Sequence, residues 1–369
     1  MYKNRRFFSR LMPALVLSVF FWHGANAATT APDNPVKSIR TVAEDAGRVS
    51  WVQDRIVFDR RNRDDYFDIW TMKDDGTDQK CLTCYMCPLP EHGHKGNPDW
   101  DPSGQYIVFQ AENNYQGGGK VTKFFAGPGS GLNNDLWVMD AEGKRFKQLS
   151  RVPEGTGGTL HPHFSPDGKY LLLTERFSPD GGASAQWSMK LAAFSVDPKT
   201  GPQINDIQSL RPGAQKQFYE TQGFSPDGGK IIFSGNLSPG QDAKGTDVYT
   251  LDFKSGELKN LTNTLDEWDG YAHYSPSGKH IVWMSNRGLP KPATADDVRS
   301  DYWIMDADGA NQRRLTFFND KDSKDYVTGG AVAADFSWNS DGTKLAAVLV
   351  EGVGKGAGKI VEIDFKEAQ

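Results

Sequence analysis

The chain has 369 residues, of which 24% are charged and 12% aromatic, and its formal net charge is −5. The length suits one large domain with a sizeable core. The acidic balance argues against nucleic acid or an anionic membrane surface as the main partner.

Read from the N-terminus, the first segment is an export signal. Lys3, Arg5, Arg6 and Arg10 form a basic region, Leu11 to Trp22 a short apolar core, and Ala25-Asn26-Ala27 a small-residue cleavage site. The apolar run is shorter than the ~20 residues a span requires, so residues 1–27 are expected to be removed. The mature protein then starts at Ala28, with no transmembrane span, in the periplasm or outside the cell. Losing four basic residues and no acidic one takes the charge from −5 to −9. Residues 28–47 read as a polar tip followed by one strand over 36–43.

From residue 48 onward one phrase recurs with variation. It appears as Asp101-Pro-Ser-Gly104, Ser165-Pro-Asp-Gly168, Ser225-Pro-Asp-Gly228, Ser275-Pro-Ser-Gly278 and Asn339-Ser-Asp-Gly342. Trp100, Phe164, Phe224, Tyr274 and Trp338 precede it, and apolar runs such as Tyr106-Ile-Val-Phe109 follow. Pro presets φ and Gly accepts positive φ, so each phrase predicts a tight turn between two strands. A second phrase runs Asp68-Ile-Trp-Thr-Met72, Asp135-Leu-Trp-Val-Met139, Asp247-Val-Tyr-Thr-Leu251 and Asp301-Tyr-Trp-Ile-Met305. A third closes the unit: Cys81-Leu-Thr83, Gln148-Leu-Ser150, Asn260-Leu-Thr262 and Arg314-Leu-Thr316. Each unit thus holds four strands, A to D, and six units begin near Arg48, His94, Thr159, Phe218, Trp268 and Val327. The prediction is an all-β, six-bladed β-propeller of four-stranded antiparallel blades over residues 48–369. The sixth unit lacks a D strand, and residues 36–43 are expected to supply it, removing free sheet edges.

These phrases resemble the PD40 repeat of the TolB-type, WD40-like β-propeller family. That resemblance implies the fold and leaves function open, since propellers host binding scaffolds and enzymes alike. Neither an α/β domain before the propeller nor a hydrolase domain with a Gly-x-Ser-x-Gly elbow after it is legible, so a propeller alone, as a monomer, is expected.

Cys81, Cys84 and Cys87 lie together, with His92 and His94 close behind. One reading is a zinc knuckle. The other, favoured for an oxidising compartment, is one disulfide among the three and a spare thiol.

Topology places the tight A–B and C–D turns on one face of the disc and the long connections on the other. The Gly-rich stretch Asn113–Asn134 reads as a flexible lid on that second face, which is the expected binding surface. Channel-lining candidates on the A strands are Asn97, Asp99, His161, His163, Thr221, Tyr271, His273, Asp335 and Ser337. Glu220, Asp269, Arg176 and Arg287 are added at strand ends. His161 and His163 share one side of a strand, and His273 sits in its unit where His163 sits in its own. The three are candidate ligands of a divalent metal, Mn or Zn; packed, hydrogen-bonded histidines are the other reading. The oligogalacturonate lyases are similar stand-alone propellers, and their family binds a divalent metal through channel His and Gln. Their Gln-x-x-His-x-His stretch is missing here. The sequence therefore predicts a binding scaffold for a protein or glycan, the alternative being a metal-assisted lyase or hydrolase acting on anionic oligosaccharides.

Overall fold

Each recurring phrase folds into the same local unit for reasons visible in its hydrogen bonds. The computed structural model describes residues 34–85, 88–114, 119–178, 185–213, 218–241, 245–291, 297–351 and 358–369. In the turn at Ser165, Gly168 N donates to Ser165 O at 2.8 Å, with Gly168 at φ 70°. The Ser165 hydroxyl then accepts from Tyr170 N at 2.9 Å. Asp101 and Asn339 accept the corresponding bond from Tyr106 N and Lys344 N, which is why Ser, Asp and Asn interchange at the head of the phrase.

The second and third phrases are also tied to each other. Asp247 and Asp301, at the start of their C strands, are fully buried. Asp247 accepts from Thr262 Oγ1 at 3.0 Å and Thr264 N at 2.7 Å, and Asp301 from Thr316 Oγ1 at 3.1 Å and Phe318 N at 2.7 Å. Asp68 accepts from Thr83 Oγ1 at 3.0 Å in the first unit. The Asp and the Leu-Thr, some fifteen positions apart, are therefore two ends of one buried tie.

Six four-stranded antiparallel sheets result. The A strands are Ala46–Val52, Lys95–Trp100, Gly157–Phe164, Tyr219–Phe224, Asp269–Tyr274 and Ala331–Trp338. Each packs against the A strand of the next blade, and the sixth packs against the first, so the ring closes. Apolar clusters fill the spaces between blades. In the closing blade, Val36–Ala43 pairs antiparallel with Lys359–Phe365, from Val36 opposite Phe365 to Ala43 opposite Ile360. The fold expected from the repeats is the fold observed, including its closure by residues 36–43.

Two features were not foreseen. Within the Asn113–Asn134 stretch lies a helix, Gly119–Ala126. Blade 3 also carries unusually long outer strands, Gln186–Asp197 and Gly201–Leu210. Residues 1–33, and with them the expected signal, lie outside the described residues, as does Cys87. Among the described residues no helix is long and apolar enough to cross a membrane.

Candidate functional site

Every A strand shifts register once against its B strand. Such a bulge re-aims the side chains beside it. Counting back from the aromatic at or next to the end of each strand, the third position holds Arg48, Asn97, His161, Thr221, Tyr271 and Asp335, one per blade. At this level Asn97, His161 and Tyr271 have φ of 49°, 47° and 45°, a region that costs non-glycine residues about 1 kcal/mol or more. The position before the aromatic holds Ser50, Asp99, His163, Gly223, His273 and Ser337. The channel is thus built from two stacked polar rings.

The lower ring stitches blades together. Ser337 Oγ accepts from Trp51 N at 2.9 Å, and Ser50 Oγ accepts from Trp100 N at 3.1 Å. Asp99 accepts from Ser50 Oγ and Phe164 N, both at 2.8 Å, so each of its oxygens is engaged. His163 Nε2 lies 3.2 Å from Thr221 O, and His273 Nε2 lies 3.1 Å from Asp335 Oδ1. Burial drives the His163 pKa down to about 3 and pushes Asp99 up to about 6. Burial also works on Asp335, but the His273 hydrogen bond and the neighbouring imidazoles hold it below the usual carboxylate range. A cavity of about 220 Å³ lies here, reaching toward the tight-turn face past Asp99, His163, Gln222, His273 and Asp335.

In the upper ring His161 Nε2 stands 3.0 Å from Glu220 Oε1, and its ring centroid is 6.4 Å from that of Tyr271. Arg48 acts electrostatically on Tyr271, Asp59, Asp335 and Glu220. Asp59 is fully buried and accepts from Asn97 N at 3.0 Å. Burial pushes its pKa up to about 6 against the pull of Arg48. Arg48, Ser50 and Asp59 escaped the sequence reading because blade 1 lacks the Pro-Asp-Gly phrase. Trp51, three residues after Arg48, was the available marker.

A metal would need several of these donors to converge. The Nε2 atoms of His161, His163 and His273 face three different partners, and the rings of His163 and His273 are 5.8 Å apart, edge to face. Among the described residues no three His, Cys, Asp or Glu side chains form a metal-ligand group.

Other predicted residues sit elsewhere. Asp269, fully buried, accepts from Trp283 Nε1 at 3.0 Å and pairs with Arg287 at 3.6 Å, inside blade 5. Arg287 stacks over Trp303 and donates to Gln312. Cys81 and Cys84 form a disulfide with Cα atoms 5.7 Å apart.

The long-loop face carries a different structure. The helix-bearing insertion of blade 2 is anchored by buried polar groups: Asn134 Nδ2 donates to Ala126 O at 2.9 Å, Asn97 Nδ2 to Pro128 O at 2.8 Å, and Arg176 Nη1 to Ser130 O at 2.8 Å. His94, driven by burial to a pKa of about 4, places Nε2 3.2 Å from Lys123 O. Asn97, Arg176 and His94 thus fix this loop. Between it and blade 1 opens a cavity of about 670 Å³, walled by Arg48, Arg61, Phe67, Lys123 and Phe124, with Asp65 at its edge.

Comparison with known proteins agrees on the architecture. No family model matches the chain. An uncharacterized protein of Agrobacterium fabrum is 25% identical over 211 residues, which cover 57% of this chain and 60% of that relative. The chain therefore spans less than two thirds of that protein's length. A puromycin hydrolase structure matches with a TM-score of 0.53 at 12% identity, over 87% of this chain and 52% of that one. Similar solved structures also include TolB from Acinetobacter baumannii (TM-score 0.49, 16% identity, 86% and 65% coverage). An oligogalacturonate lyase in complex with manganese is similar as well (0.47, 11%, 85% and 86%). At these identities the likeness is one of fold.

Proposed function

We propose that this chain is an exported propeller acting as a binding scaffold, which engages a protein or glycan through its long-loop face. One contrast carries the reading. Asp99 uses both carboxylate oxygens on contacts between blades, and His163 and His273 each meet a neighbouring blade through Nε2, whereas the larger cavity and the anchored helix stand on the opposite face. Long insertions on a rigid disc are where binding surfaces are built. The basic and apolar leader of residues 1–27 supports export.

The test uses the mature protein, whose first residue by N-terminal sequencing should be Ala28. It is applied to an array of acidic and neutral glycans and peptides, and incubated in parallel with anionic oligosaccharides. Retention that is lost in Phe124→Ala and kept in His273→Ala, without product formation, is the expected result. Cleavage of an anionic oligosaccharide that disappears in His161→Ala would replace the scaffold by the lyase or hydrolase alternative.

A further inference from the structure

We propose that the cavity between blade 1 and the blade 2 helix is an oxyanion site for a small organic anion, with Arg61 and Lys123 as its cationic contacts. The proposal rests on the reading of this face as the binding face and adds to the protein or glycan proposed there a small-anion subsite within it.

The cavity of about 670 Å³ is within the usual range of roughly 300–1,000 Å³ for small-ligand sites. Three cationic side chains and the carboxylate of Asp65 line it; Arg48 also faces Asp59, Asp335 and Glu220 on the channel side, so Arg61 and Lys123 are the cations left to the cavity. What holds the cations matters more than their number. Lys123 Nζ stands 3.8 Å over the Tyr66 ring and donates to the main-chain oxygen of Asp64. Both partners orient the ammonium without carrying a charge themselves; the carboxylate that acts on it is Glu112. Arg61 lies over Phe67 at 5.4 Å. Its carboxylate neighbour, Asp65, is 4.0 Å away and 74% exposed, a pair that contributes little in water. Arg48 reaches in from the channel, and its buried Nε has no hydrogen-bond partner. A Cβ at Gly129 would come within 2.9 Å of Arg48 Nη2, so the loop leaves room for this guanidinium by having glycine there.

The wall opposite is preorganised. Lys123 and Ala126 belong to the helix whose carbonyls are met by His94 and Asn134, and Pro128 and Ser130 are met by Asn97 and Arg176. Binding there orders little that is not already ordered. Phe124, 76% exposed at the cavity wall, offers an apolar surface to the body of the ligand. Guanidinium and ammonium groups beside aromatic faces suit a carboxylate or phosphate attached to a small carbon skeleton.

Isothermal titration of the mature protein with citrate, a hexuronate and inorganic phosphate tests this. The carboxylate and phosphate arms identify which oxyanion the site prefers. Binding by at least one probe is expected, weakening with added sodium chloride. Arg61→Gln and Lys123→Gln should each lower affinity by about tenfold with an unchanged melting temperature, while Lys147→Gln, on the outer strand of blade 2, should not. Failure of all three probes to bind the folded wild type overturns the oxyanion site and leaves the scaffold reading standing. So does affinity that survives both cavity substitutions. Turnover of a bound probe overturns the scaffold reading and leaves the oxyanion site standing.

Discussion

The ring closes through one strand, and one ion pair on that strand can be weighed. Arg40 Nε and Nη2 donate to the two carboxylate oxygens of Glu362 at 2.8 and 3.0 Å. Glu362 is 4% exposed and Arg40 49% exposed. Lys344 Nζ approaches the same carboxylate at 3.2 Å. A hydrogen bond to a charged group is worth about 1.5–3 kcal/mol. Half-exposure of Arg40 discounts that by screening, and Lys344 remains as partner after Arg40 is lost. Arg40→Ala should therefore cost ~1–2 kcal/mol, read as a lower urea midpoint at unchanged m. In a cycle with Glu362→Gln the coupling should be about 1 kcal/mol. Deleting the mature chain through Ala43 should cost more. It also removes the ladder to Lys359–Phe365 and the packing of Val36 and Ile39 on the sixth-blade core. A coupling indistinguishable from zero, together with a truncation as stable as the wild type, would refute closure by this strand in solution.

Two further outcomes follow from the buried groups. His163 is held neutral to a pH of about 3, against roughly 6.5 in an unfolded chain. The unfolded state therefore binds the extra proton in between, and His163 opposes folding progressively as pH falls from about 6.5 to about 3. Asp59 and Asp99, raised to about 6, act with the opposite sign between their ordinary range and pH 6. His163→Gln should thus lose stability relative to wild type least at pH 4 and most at pH 7, measured by urea midpoints; equal losses at both would contradict the neutral buried imidazole. For the cysteines, unreduced mass spectrometry should show the mature chain lighter by two hydrogens than its reduced form, with the bridge mapped to Cys81 and Cys84; three alkylatable thiols would contradict the pairing.

The fold was legible because its signals are local. A turn phrase, an aromatic three positions past a channel residue, and an Asp matched to a Leu-Thr all recur within one unit. Each is satisfied inside its own blade or by the blade beside it. Blade 3 departs from the third phrase, and its outer strands ran long without any warning in the repeat. Blade 1 replaces the turn phrase with Gln53-Asp54, and with that went Arg48, Ser50 and Asp59. The helix Gly119–Ala126 was hidden in a Gly-rich stretch that reads as a loop.

The roles of the channel residues were not readable, for a reason that lies in the geometry of the ring. A polar side chain on an inner strand has neighbours from the adjacent blade, more than two hundred positions distant in the case of Ser337 and Trp51. Periodicity says that Asp99, His163 and His273 face the channel; it does not say that each meets the next blade before it meets a ligand. The same logic separates Asp269 from its ring neighbour Tyr271. Two residues apart on one strand, the first pairs with Arg287 in the blade interior, while the second sits at the bulge and joins the Arg48 cluster. The bulge decides which polar groups become struts and which remain available; the aromatic three positions on marks where Asn97, His161 and Tyr271 lie, but not their left-handed backbone. The loop-face cavity was harder still to foresee. Arg48 comes from an A strand, Arg61 from a B strand and Lys123 from a helix in the next blade, and only the packing of blade 2 on blade 1 brings the three charges to one cavity.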